Sequence, residues 1–128
     1  MDFGRSIYDG GLIIMNLTDE QKKILKHCRD TYGDTAQILV SIEELNELAC
    51  VLAKYPRYDS PIKAVEELKD KALDEVADVF IVLDHIVNIL QLTDDEVAAR
   101  IDKKIQRVTR WLDTNDKFSQ TLVDRTVE

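Results

Sequence analysis

The chain has 128 residues, of which 45% are hydrophobic and 33% charged, with a formal net charge of −8. That length suits one domain able to bury roughly two-thirds of its unfolded surface, and the composition is that of a folded, soluble protein. Two prolines and four glycines leave little material for a turn-rich β fold, and the acidic balance without a basic run argues against nucleic acid as a partner.

Residues 1–16 read as an N-terminal extension. Their apolar run Gly11-Leu12-Ile13-Ile14-Met15 is too short for a secretory signal. Met15 is an alternative start. No apolar run reaches the ~18 residues of a membrane span, so no membrane partner is expected. Cys28 and Cys50 lack CxxC spacing or paired histidines, which points to reduced thiols and a cytoplasmic location.

Thr18-Asp19-Glu20-Gln21 has the spacing of a capping box and predicts a first helix from Asp19 to about Thr31, stopped by Gly33. Asp34 can cap a second helix over 35–55. Its apolar stripe is Ile38, Ile42, Leu45, Ala49 and Leu52, while Val40, Leu48 and Val51 lie on the side where Glu44 and Glu47 project. Residues 55–59 read as a connection. Ser60-Pro61 then has the form of an N-cap with proline at the first helical position.

Residues 62–71 are amphipathic and highly charged, either a short helix or the start of a longer one. From Ala72 to Leu92 almost no polar face remains, the pattern of a helix buried at a bundle centre or a subunit interface. Thr93-Asp94-Asp95-Glu96 opens a fourth helix, expected to run to about Asp113, with Lys103, Lys104, Arg107 and Arg110 in its second half. A helical domain over 17–114 would be followed by a C-terminal tail over 115–128. The expected fold is all-α, a four- to five-helix bundle completed by oligomerisation, because four helices supply little core to cover the apolar 76–92 segment.

Two acidic windows resemble each other: Glu43-Glu44-Leu45-Asn46-Glu47 and Asp74-Glu75-Val76-Ala77-Asp78. In each, two acids three residues apart share a helix face. Glu67/Asp70 and Asp113/Asp116 repeat the spacing on charged surface, so spacing alone decides nothing. Glu44/Glu47 and Glu75/Asp78 differ in being bordered mostly by aliphatic side chains, although Lys54 interrupts them. Burying several ionised carboxylates is costly unless a cation compensates. A shared metal site and surface charge with a few ion pairs both remain open on this reading. If a metal is held, oxygen donors favour Mg²⁺, with Mn²⁺ as a substitute, over zinc. The Glu-x-x-His pairs of di-iron bundles are missing, since Ile24 and Val82 precede His27 and His85 by three.

Glu43-Glu44-x-x-Glu47 followed by Glu75-x-x-Asp78 resembles the EExxE…ExxD signature of the MazG-like, all-α nucleoside triphosphate pyrophosphohydrolases. This superfamily includes dimeric dUTPases, dCTP pyrophosphatases and phosphoribosyl-ATP pyrophosphohydrolase. The resemblance spans about residues 30–113, including Tyr32-Gly33 and Gln37, with Lys104-x-x-Arg107-x-x-Arg110 similar to a basic third element. It implies Mg²⁺ ligation and catalysis by Glu44, Glu47, Glu75 and Asp78, with Glu43 and Asp74 outside the ligand set. It also implies a homo-oligomer that hydrolyses a nucleoside triphosphate to the monophosphate and pyrophosphate.

Lys104 and Arg107 are then candidates for phosphate contact, and Gln37 for the base or sugar. Each has a simpler role, as the cationic end of a helix or as a surface glutamine. His85 reads first as a hydrogen-bonded interface histidine. The rivals are a phosphoribosyl-ATP pyrophosphohydrolase-like enzyme and a non-catalytic helical oligomer or adaptor.

Overall fold

The computed structural model describes residues 16–55 and 62–127, with side chains described over 16–55 and 65–116. The expectations for residues 1–15 and for the Ser60-Pro61 cap lie outside the described residues. Four α-helices and no strands occur among them: α1 (Asp19–Tyr32), α2 (Asp34–Leu52), α3 (Ile62–Ile89) and α4 (Asp94–Val127). The chain divides after Leu92 into two compact units, α1–α3 in the first and α4 in the second. No single described helix is long and apolar enough to cross a membrane.

The capping box at Thr18 forms in both directions. Gln21 N–H donates to Thr18 Oγ1 at 3.1 Å, and Thr18 N–H donates to Gln21 Oε1 at 2.9 Å. Thr18→Ala should lower stability by about 1 kcal/mol, with Thr18→Ser retaining most of it. Urea unfolding monitored by circular dichroism tests this.

Gly33 ends α1 and begins α2 at φ +89°, ψ 159°, a conformation that L side chains rarely adopt. Asp34 therefore lies inside the first turn of α2 and is not its cap. Its charge favours the positive end of the helix, and no side chain caps that end.

The charged 62–71 stretch and the apolar stretch after it form one helix, α3. It ends in a Schellman turn: Leu92 N–H donates to Val87 O at 2.8 Å and Gln91 N–H to Asn88 O at 3.2 Å, with Gln91 at φ +56°. The fourth helix does not stop near Asp113 but continues to Val127.

Within the first unit, α2 and α3 share the most extensive contact, and α1 lies against both. The face α2 turns inward is not its apolar stripe. Gln37, Ser41 and Val51 are buried, whereas Ile42, Leu45 and Leu52 are exposed. Within this single chain α3 is not buried on all sides. Val82 is buried together with Asp84 and His85, but Val76 and Ile81 remain exposed. Val51 and Val82 are the buried hydrophobic side chains of the described residues, and Leu48 on α2 and Val79, Phe80 and Leu83 on α3 are half-buried, so the α2–α3 seam mixes polar and apolar groups.

Candidate metal centre

The seam is built by spacing. On α2 a step of four, then three, carries Gln37 to Ser41 and Glu44 along one face. Ser41 is 2% exposed, and its hydroxyl donates to Gln37 O at 2.7 Å, so this polar side chain is satisfied within its own helix. Val51 follows Glu47 by one turn, and Val82 follows Asp78 by one turn. These two buried valines flank the acids on their respective helices.

Between them the structure brings together Glu44, Glu47, Glu75 and Asp78, one carboxylate oxygen of each lying within 4.8 Å of the others. Glu47 is exposed and the other three are half-buried. Solvent therefore reaches the cluster past Glu47. Glu43 and Asp74 are both exposed and stand outside it.

The electrostatics of this arrangement are unfavourable unless a positive charge joins it. Burial, then the charges of Asp78 and Glu47, push the Glu44 carboxyl up to about 7. Burial and the neighbouring Glu47 raise Glu75 as well. Among the described residues, Glu44 Oε2 and Glu75 Oε2 are buried with no hydrogen-bond partner. Two orphaned oxygens on opposite helices, within a set of oxygen donors, fit a hard divalent cation. The wide exposure of many helix-surface acid pairs does not extend to these.

A pH dependence follows. Above its ordinary value of 4.5 and up to about 7, native Glu44 holds a proton that the unfolded chain has released. This group alone therefore makes unfolding easier as pH rises through that window. His85 acts oppositely: its burial and Arg29 lower its pKa below 6.5, so its contribution is lost as pH falls through the lowered value. A bound cation acts only on the acid cluster. If the cluster holds Mg²⁺, the Tm increase on adding it should be small at pH 5 and grow to its full size by pH 8, and thermal melts with and without Mg²⁺ test this.

Other expected site residues are placed differently. Gln37 is buried two turns before Glu44 on the inward face of α2, not an ordinary surface glutamine. Lys104 and Arg107 are exposed on α4, in the second unit.

His85 is 3% exposed and hydrogen-bonded, with its Nδ1 3.0 Å from Arg29 Nη1. Arg29 Nη1 also donates to Asp84 Oδ2 at 3.2 Å, and Asn88 Nδ2 donates to Asp84 O at 2.7 Å. Sequence reasoning missed Arg29 and Asp84. The available signal was an acid inside the mostly apolar 79–90 run, which called for a cationic partner. No family model, curated protein or solved structure matches this chain.

Proposed function

We propose that the protein is a Mg²⁺-dependent nucleoside triphosphate pyrophosphohydrolase, converting a (d)NTP and water to the monophosphate and pyrophosphate. In this reading it works in the cytoplasm as a homo-oligomer that limits or cleanses the nucleotide pool. The observation carrying it is the four-carboxylate cluster, with its two orphaned buried oxygens and one exposed member. The resemblance of Glu43–Glu47 and Glu75–Asp78 to the MazG-like signature supplies the substrate class.

Glu44, Glu47, Glu75 and Asp78 would hold the metal, with Mn²⁺ as a substitute. When bound, the cation supplies charge neutralisation for the triphosphate and lowers the pKa of water. The acids themselves set the geometry. Glu44 and Asp78 face each other across the seam, as do Glu47 and Glu75. A cation site between them is therefore shared by both helices.

Glu47 is suited to orient the attacking water or accept its proton, because it stands at the solvent side, with Glu44 as the other candidate. Water's oxygen forms a bond to the α- or β-phosphorus, the α–β phosphoanhydride bond breaks, the departing phosphate oxygen takes the electron pair, and the water's proton passes to the carboxylate. Gln37, on the same helix face two turns before Glu44, is assigned to the base or sugar. Lys104 and Arg107 are assigned to the phosphates on their charge alone.

Exposed Ile42, Leu45 and Leu52 on α2, and Leu73, Val76 and Ile81 on α3, support the homo-oligomer, since apolar surface of this extent marks interaction faces. They equally favour a second reading, a non-catalytic helical oligomer. A pyrophosphate-release screen separates these readings. It should span canonical and modified (d)NTPs and phosphoribosyl-ATP, with Mg²⁺ or Mn²⁺. Release from a (d)NTP that depends on the metal supports the proposal. Release from phosphoribosyl-ATP alone would move the activity to that relative, and no release from any substrate leaves the non-catalytic oligomer.

A further inference from the structure

The seam between α1 and α3 carries a feature that the acid cluster does not use. Lys22, Lys26 and Arg29 follow one another at steps of four and three, so they share one face of α1. With Lys23, Asp84 and Asn88 they line a cleft of about 190 Å³. Four cationic side chains and one carboxylate line it, with Asp30 paired to Lys26 just outside, a locally positive balance in a chain whose net charge is −8.

Arg29 makes this more than a row of surface lysines. Its side chain is only 10% exposed, and Nη1 is held by Asp84 Oδ2 and His85 Nδ1. A guanidinium only donates, so His85 Nδ1 must be the unprotonated nitrogen of a neutral ring. Both partners engage Nη1. Among the described residues, Nε and Nη2 make no hydrogen bond, and neither is sealed from solvent. Those two nitrogens form the edge of a guanidinium that grips an oxyanion through two parallel hydrogen bonds. The edge is fixed in advance, because its other side is locked to a buried acid.

We propose that this cleft is an anion site for a phosphate group, gripped by the Nε/Nη2 edge of Arg29 and neutralised by Lys22, Lys23 and Lys26. Lys26 also pairs with Asp30 at 2.7 Å, outside the cleft lining, and this exposed contact exchanges readily for an anion. The site is separate from the acid cluster. Asp84 lies six residues beyond Asp78 on α3, which is roughly 9 Å along the axis and on a different face. It therefore takes a second ligand, either free phosphate or the phosphate of a nucleotide ester.

The test is a titration of ¹⁵N-labelled full-length protein in metal-free buffer, following the Arg29 Nε–H resonance, with inorganic phosphate in one arm and a nucleoside monophosphate in the other. A saturable shift with inorganic phosphate is expected, weakened roughly tenfold or more in Lys22→Ala/Lys26→Ala, which removes two charges while keeping strong helix formers. Tighter saturation by the monophosphate assigns the cleft to a nucleotide ester; equal or weaker saturation assigns it to free phosphate. The response should persist in Glu47→Ala, whatever that variant does to hydrolysis. No saturable shift at Arg29, or a shift unchanged by the lysine substitutions, overturns the proposal.

Discussion

Glu47→Ala should abolish metal-dependent pyrophosphate release while leaving the protein at least as stable in metal-free buffer. Both halves follow from one arrangement. Glu47 is the solvent-facing member of four carboxylates whose oxygens lie within 4.8 Å of one another. Removing it deletes a ligand, and loss of residues that merely orient ligands already costs 10–100-fold. A fall of about 100-fold or more in kcat/KM is the expected size, together with a reduced Mg²⁺-induced Tm shift. Removing it also takes a like charge away from Glu75, whose pKa Glu47 raises, so the metal-free fold loses repulsion. An unfolded variant would lose activity too, but it would not keep the metal-free Tm. Steady-state assays paired with melts distinguish the outcomes, and wild-type turnover in Glu47→Ala or Glu75→Ala would falsify the assigned centre.

Asp84→Ala should be the most destabilising single change in the first unit, by about 3–5 kcal/mol. Asp84 is 2% exposed in its side chain, and Arg29, its partner at 3.2 Å, is 10% exposed. The loss does not measure the worth of the pair. It measures the penalty for leaving a guanidinium buried beside His85 without its counter-charge. Asp84→Asn keeps an acceptor for Arg29 and should cost less, while Arg29→Met/Asp84→Leu should recover much of the loss. Urea unfolding of the full cycle tests this. If Asp84→Ala unfolds within about 1 kcal/mol of the parent, the ion pair is not a strut between α1 and α3.

Local signals in the sequence carried further than tertiary ones. Thr18, Gln21 and Gly33 determine hydrogen bonds and backbone angles within a few residues, and the first helix is where they place it. The acid cluster was legible for a related reason. Helix spacing fixes which acids share a face, and their aliphatic neighbours separated Glu44/Glu47 and Glu75/Asp78 from Glu67/Asp70. What periodicity could not reveal was which face of α2 meets α3. The apolar stripe of Ile42, Leu45 and Leu52 was the natural choice, yet Gln37, Ser41 and Val51 are the residues turned inward. Hydrophobicity orders faces by their preference for any apolar partner, and a seam that also holds buried polar side chains is chosen by more than that preference. Arg29 and Asp84 are 55 residues apart, so only the fold could join them.

The unbroken run of α3 limits how this protein can change over time. It carries Glu75 and Asp78 towards α2, and Asp84 and Asn88 towards α1, with no turn between the two sets to absorb a change in length. One residue inserted or deleted between 79 and 83 would swing one set about 100° relative to the other, since a helix has 3.6 residues per turn. Point substitutions there can drift, but changes of length cannot, so descendants of this chain should keep the interval from Asp78 to Asp84 fixed while the sequence around it diverges.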